Sequence, residues 1–225
     1  MEIKCYPALY QDPQGTVTTC IENDGKKLSM IVRDVEFTSS MLDDWMPQEK
    51  TNTSSLQTFT LHNQELCGFT LTFSMPIAVI FHSEQLEGTL HVEFTLGLPN
   101  QKGRIDGEQL LLRLDVANYS FHSTEKKVWF ENELLDIHMQ LPERMYMKTC
   151  LFCAFSEYHP SGNGEFGQLS CFRKAKVEYL STSSKREFLA LYENHFDEDV
   201  QETYCCPEFR RRFSARGRPH KQEKP

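Results

Sequence analysis

The sequence predicts a mainly β (α+β) protein, an antiparallel β-sandwich or open barrel that carries two amphipathic helices and a cysteine-rich C-terminal region. Three observations predict it. Apolar and polar residues alternate with period two in several short runs between residues 28 and 121. Two later stretches switch to the 3.6-residue period of a helix, and five of the eight cysteines fall between residues 150 and 206. Period-two alternation marks strands that bury one face and wet the other, the habit of antiparallel sheets.

Taken in chain order, Asn23-Asp24-Gly25 is a turn signal, and residues 28–37 read as the strand that follows it. Residues 43–55 are polar and read as a surface loop, whereas residues 56–62, 67–73 and 77–82 are further strand candidates. The clearest alternation sets Leu90, Val92, Phe94 and Leu96 against His91, Glu93 and Thr95, then Leu110, Leu112, Leu114 and Val116 against Leu111, Arg113 and Asp115. Residues 97–107, with three glycines, form the hairpin connection between them. About six strands joined by short turns favour a sandwich or open barrel over βαβ units. Phe130, Leu134, Ile137 and Leu141 recur at steps of four, three and four and stop at Pro142, which gives a helix over residues 129–141 lying on the sheet. A second helix starts at Ser184, where Glu187 completes a capping box. Phe188 and Tyr192 line one of its faces, and Lys185, Arg186 and Glu193 lie on the other. The chain therefore divides into a β domain over residues 1–145, a metal-binding region packed on it over 146–209, and a basic flexible tail over 210–225.

At 225 residues with sixteen Phe and eight Tyr, the chain has ample material for a core. Its net charge of -8 is uneven. Arg210, Arg211, Arg212, Arg216, Arg218, Lys221 and Lys224 against Glu208 and Glu223 give the last nineteen residues +5, which leaves -13 on residues 1–206. An acidic body suits a protein partner with a basic surface and argues against nucleic acid as a ligand, except through the basic tail. No apolar run approaches the roughly 20 residues of a membrane span, and no apolar leader opens the chain. The expectation is a cytoplasmic protein with reduced thiols. Cys5, Cys20 and Cys67 then read as packed free thiols.

The distal cysteines carry the chemistry. A Cys150-x2-Cys153 knuckle places two sulfurs side by side, and residues 155–167 are rich in turn formers that bring the chain back to Cys171. Structural zinc takes four ligands at Zn–S of about 2.3 Å. Cys171 would supply the third ligand, and Cys206 or Cys205 the fourth. One structural zinc is the cofactor this pattern implies. Glu157 and His159 lie between the ligands, as an acid and base pair or simply as loop residues, and Arg173 with Glu208 would make a supporting ion pair beside the cluster.

The segment from Cys150 to Arg173, CLFCAFSEYHPSGNGEFGQLSCFR, together with Gln201-Glu202-Thr203-Tyr204-Cys205-Cys206-Pro207-Glu208-Phe209, resembles a family of uncharacterised bacterial proteins. In that family the downstream motif reads QETYxCPEF, so the resemblance makes Cys206 the matching cysteine and Cys205 incidental. Trp129-Phe130-Glu131 and the helix after it are similar too. The resemblance is specific over residues 150–209 and diffuse before them. It implies a bacterial source and supplies no mechanism.

Sequence motifs exclude the common catalytic sites. There is no dinucleotide fingerprint, phosphate loop, His-Glu-x-x-His helix or nucleophile elbow. His82-Ser83-Glu84 with Cys150-x2-Cys153 departs from the zinc-deaminase pattern, since Thr149 replaces its proline. Four thiolates would also fill the zinc shell, whereas catalytic zinc keeps one position open. The expected function is a non-enzymatic, zinc-stabilised interaction protein with no catalytic residues, for instance an acidic immunity-type antidote to a basic toxin or a component of a defence system. The alternative is a zinc-dependent or nucleic-acid-acting enzyme.

Overall fold

The computed structural model describes residues 3–124, 129–159, 166–195 and 198–212. An N-terminal hairpin of β1 (Lys4–Asp12) and β2 (Gly15–Asn23) precedes the region where the alternation is clearest. The stretch 28–37 is two strands rather than one, β3 (Leu28–Val32) and β4 (Val35–Ser39). Arg33 and Asp34 turn the chain between them at φ of 48° and 65°, the left-handed pair that suits a two-residue hairpin. A change of phase records the turn: Leu28, Met30 and Val32 are buried on even numbers, Val35 and Phe37 on odd.

The polar stretch 43–55 is more than a surface loop. It holds β5 (Met46–Pro47) and the start of α1 (Thr53–Leu56), and Trp45 within it is fully buried. The candidate strand 56–62 shrinks to β6 (Leu61–His62), paired with β7 (Glu65–Leu66). The next two candidates merge into one thirteen-residue strand, β8 (Phe69–Phe81), which returns through His82-Ser83 as β9 (Glu84–Leu96). Then come β10 (Gln109–Val116), β11 (Tyr119–His122), helix α2 (Phe130–Gln140) and the short β12 (Met145–Met147).

Ten of these strands make one antiparallel sheet in the order β11-β10-β9-β8-β1-β2-β3-β4-β5, with β12 beside β8. Among the described residues neither end strand, β11 nor β5, pairs with a further strand, so the sheet is open and not a closed barrel. Two meanders, β1 to β5 and β8 to β11, are joined by the pairing of β1 with β8, from Ala8 opposite Phe73 to Gln11 opposite Thr70. One face is apolar: Tyr10, Phe37, Phe69, Leu71 and Val92 belong to a single buried core. Helix α2 packs on β10 and β11 through Phe130, Leu134 and Ile137, as its spacing requires. Removing Leu134 or Ile137 from water contributes about 1.5 to 3 kcal/mol each. Among the described residues no helix is long and apolar enough to cross a membrane.

The N-terminal cysteines correct one expectation. Cys5 and Cys20 form a disulfide across the β1–β2 hairpin, with Cα atoms 5.8 Å apart, rather than standing as packed free thiols. They sit diagonally, because Cys5 faces Glu22 and Pro7 faces Cys20. Cys67 is free and buried, as expected.

Candidate functional site

Beyond the sheet the elements are short. Strands β13 (Ser156–Glu157), β14 (Leu169–Cys171) and β15 (Glu198–Val200) form a small antiparallel sheet, and α3 (Lys176–Ser181) and α4 (Lys185–His195) lie beside it. Helix α4 opens with the capping group the sequence predicts: the Ser184 hydroxyl accepts the Glu187 N–H, and the Glu187 carboxylate accepts the Ser183 N–H at 2.6 Å. Phe172, Tyr179, Phe188 and Leu191 form a separate aromatic cluster, with Phe172 and Tyr179 stacked at 4.8 Å.

Backbone hydrogen bonding brings the segments that carry the four predicted ligands alongside one another. A 3-10 turn over Cys150–Phe152 lets the Cys153 N–H reach the Cys150 carbonyl at 3.0 Å, forming the knuckle. Ser156 opposite Cys171 and the Phe172 N–H on the Phe155 carbonyl bring β14 alongside. The chain from 201 to 212 then returns along the knuckle. The Cys150 N–H donates to the Tyr204 carbonyl at 2.6 Å, the Ala154 N–H to the Arg210 carbonyl at 2.7 Å, and the Arg212 N–H to the Phe152 carbonyl at 3.0 Å. Cys150, Cys153, Cys171 and Cys206 are 4 to 7% exposed, and Cys205 is half-buried.

Burial pushes the Cys150 thiol far up, and the thiols of Cys153, Cys171, Cys206 and Cys205 push the same way. Burial also raises Cys171, against the pull of its neighbour Arg173. Thiols buried beside one another are a donor type whose thiolate charge a divalent cation would offset. Among the described residues, no group of three or more His, Cys, Asp or Glu side chains is placed to hold a metal ion as it stands. Thiols are of the donor type zinc takes, but the described side chains are not placed as a shell for it.

The flanking residues take other roles than the sequence suggests. Glu208 pairs directly with Lys176, which holds its carboxyl below the usual range, and the Arg173 charge acts on it in the same direction more weakly. Arg173 instead lies by Cys171 and the Tyr204 hydroxyl. Glu157 binds the buried Arg212 at 3.1 Å and accepts from the Tyr179 hydroxyl at 3.4 Å. His159 stands edge-on to Tyr192 at 4.8 Å. Arg210, Arg211 and Arg212 belong to this region and not to a tail, for Arg211 also lies 4.1 Å over the Tyr146 ring and Arg212 donates to the Cys153 carbonyl. Residues 213–225, the rest of the expected tail, and residues 160–165 of the inter-ligand turn lie outside the described residues.

Sequence reading missed the polar anchors. Glu202 is fully buried and accepts from the Tyr158 hydroxyl at 2.6 Å and the Gly167 N–H at 2.7 Å. Asn23 and Gln201 exchange two amide hydrogen bonds, 2.7 and 3.0 Å, fastening the returning segment to the end of β2. Glu202 stands in a polar stretch, Gln201-Glu202-Thr203, with no periodicity to betray its burial.

A second polar group occupies the outer face of the sheet. Ser74 Oγ lies 2.7 Å from His91 Nδ1, and His91 Nε2 lies 2.9 Å from Asp115 Oδ2. These are the residue types of an acyl-transfer triad, contributed by β8, β9 and β10. Such a triad works with a substrate cleft and paired oxyanion donors. Here Ser74 and His91 stand mid-strand and Asp115 near the end of β10, and none of the three lines the cleft beside Pro76. Asp115 is also held by Ser120 and Arg113, so the group acts as a cross-strand ladder.

One comparison places this architecture. A family model matches residues 4–156. The chain belongs to DUF6304, a family of unknown function. The match takes in the whole ten-stranded sheet and Cys150-x2-Cys153, and it stops before Cys171 and Cys206. Most of the motif resemblance over residues 150–209 thus lies outside the matched span. No curated protein and no solved structure matches the chain.

Proposed function

We propose that this DUF6304 protein is a non-enzymatic binding module. In this reading its open sheet is a sandwich-like scaffold, and its C-terminal region is fastened to that scaffold by one structural zinc on Cys150, Cys153, Cys171 and Cys206. The observation that carries the reading is the return of residues 201–212 onto the knuckle around four buried thiols. A four-thiolate shell leaves no open position for a reacting water, which supports a structural role.

The partner this surface suits is a protein with a basic face. Adding Pro207 to Arg212 to the body changes its charge only from -13 to -11, since Glu208 offsets one of the three arginines. A strongly acidic protein gains association rate and complementarity against a basic partner such as a nuclease toxin, and an immunity-type antidote is the concrete form we favour. A cytoplasmic setting would keep the buried thiols reduced and would open the partly exposed Cys5–Cys20 bond as well. Co-purification from the native source tests the reading. It predicts a stoichiometric basic protein whose association slows with salt, whereas an acidic partner or a turnover that survives purification would overturn it.

A further inference from the structure

The sheet buries one face in the core, and along β1, β2 and β3 the opposite face is open. Strand pairing fixes which residues stand there. Glu22 lies opposite both Cys5 and Ser29, and all three are turned away from the core. The two-residue period of a strand then puts Pro7 and Leu9 of β1, Thr18 and Cys20 of β2, and Ile31 of β3 on the same side. Leu9 is 48% exposed and Ile31 61%, whereas their chain neighbours Ala8 and Met30 are buried. Pro7 is exposed as well. The Cys5–Cys20 bond lies among these residues and ties β1 to β2, so the patch is apolar and held in shape.

Carboxylates frame the patch. Glu22 faces Cys5, Glu36 stands opposite Ile31, and Glu93 stands opposite Thr72, which itself faces Leu9. Among the described residues none of these three is paired with a cation. Arg113, on the same face of β10, is already held by Asp115. An exposed apolar centre within a charged rim is the anatomy of a protein interface. From β4 to β9 the face spans the width of six neighbouring strands, about 24 Å at the usual strand spacing, which is on the scale of one partner's share of a standard interface. A second copy is a poor occupant, because two such faces would set carboxylate against carboxylate.

We infer that the open face of β1 to β3, centred on Leu9, Ile31 and the Cys5–Cys20 bond, is where a basic protein docks, through an apolar or aromatic projection flanked by Lys or Arg side chains. This rests on the basic-partner reading above and gives that partner a place. The projection covers Leu9 and Ile31, and the cations meet Glu22, Glu36 and Glu93. Apolar contact at the centre governs release, and the carboxylate rim governs approach.

A short synthetic peptide of alternating lysine and leucine carries the chemistry expected of the partner and serves as the probe. Titrated into the full chain with its disulfide intact, at low salt, it should shift the amide resonances of Leu9, Cys20, Ile31 and Thr72 before others. Leu9→Thr with Ile31→Thr, which keeps β-forming side chains in the strands, should weaken binding about tenfold. Glu22→Gln, Glu36→Gln and Glu93→Gln together should slow association and flatten its salt dependence. Melting curves check the fold of both variants. A lysine-serine peptide of the same charge should bind more weakly than the lysine-leucine one. Shifts that map elsewhere, for instance to Asp43 and Asp44, unchanged affinity in the threonine variant, or equal binding of the lysine-serine peptide would each overturn the docking face and leave the basic-partner reading standing. No binding of the lysine-leucine peptide, or tighter binding of a glutamate-leucine counterpart, would overturn both.

Discussion

The sheet and the region after it hold together by different means. The sheet repeats one device: alternating apolar residues over strands of up to thirteen residues, feeding one continuous core. After β12 the strands are two or three residues long, and the aromatic cluster around Phe172 is small. That region depends on particular groups, namely a buried Glu202, a buried Arg212, the Asn23–Gln201 amide pair and, under the proposed zinc reading, the four thiols. A distributed core tolerates single losses because each contact is a small share of the total. A pinned region does not, since removing one partner strands another in a dry place.

Chelation should therefore break the comparison most visibly. Metal binding to thiolates is coupled to folding, with apparent values of order 10 kcal/mol in small zinc modules. We expect EDTA or Cys150→Ser to release amide protection over residues 150–212 in hydrogen exchange while β8 to β10 stay protected. Uniform loss across the sheet would show that the two regions are one cooperative unit.

Next in size is Glu202→Ala, which leaves the Tyr158 hydroxyl and the Gly167 N–H without their acceptor. A cost of about 3 kcal/mol is expected in denaturant unfolding. Gly167→Ala should cost about 2 kcal/mol or more, because Gly167 sits at φ 90° and an added Cβ would run into the Ser40 carbonyl oxygen.

Within the sheet the largest polar effect should come from Asp12. Its carboxylate takes both guanidinium nitrogens of Arg33 at 2.6 and 2.7 Å. Burial alone would raise its pKa, but the Arg33 hydrogen bonds prevail and hold it below the usual carboxylate range. The depressed value means the pair's contribution is complete above the unfolded pKa near 4 and is lost as pH falls toward the folded one. Asp12→Asn should cost about 2 to 3 kcal/mol at neutral pH and flatten the acid limb of a stability profile below about pH 4. An acid limb as steep as the wild type's would remove Asp12 from the account.

The same contrast explains what the sequence could disclose. Helix α2, β9 and β10 were legible because their burial follows a fixed period. Pro76 concealed β8 as two candidates, since its missing donor is harmless only at an edge that no partner strand occupies. The β1–β2 hairpin was missed because β2 fully buries only Ile21 and Asn23 and otherwise reads as polar. Its disulfide needs the diagonal register, which spacing alone does not disclose. In the C-terminal region the partners of Glu157 and Glu208 depended on where residues 201–212 return, which no spacing in the sequence discloses.

The most direct test of the zinc-fastened region is native mass spectrometry of the purified, reduced chain beside Cys206→Ser and Cys205→Ser. The account predicts one zinc per chain in the wild type, as a single four-thiolate site requires, with zinc lost in Cys206→Ser and kept in Cys205→Ser. A metal-free wild type under zinc-replete conditions, or zinc retained in full by Cys206→Ser, would contradict it.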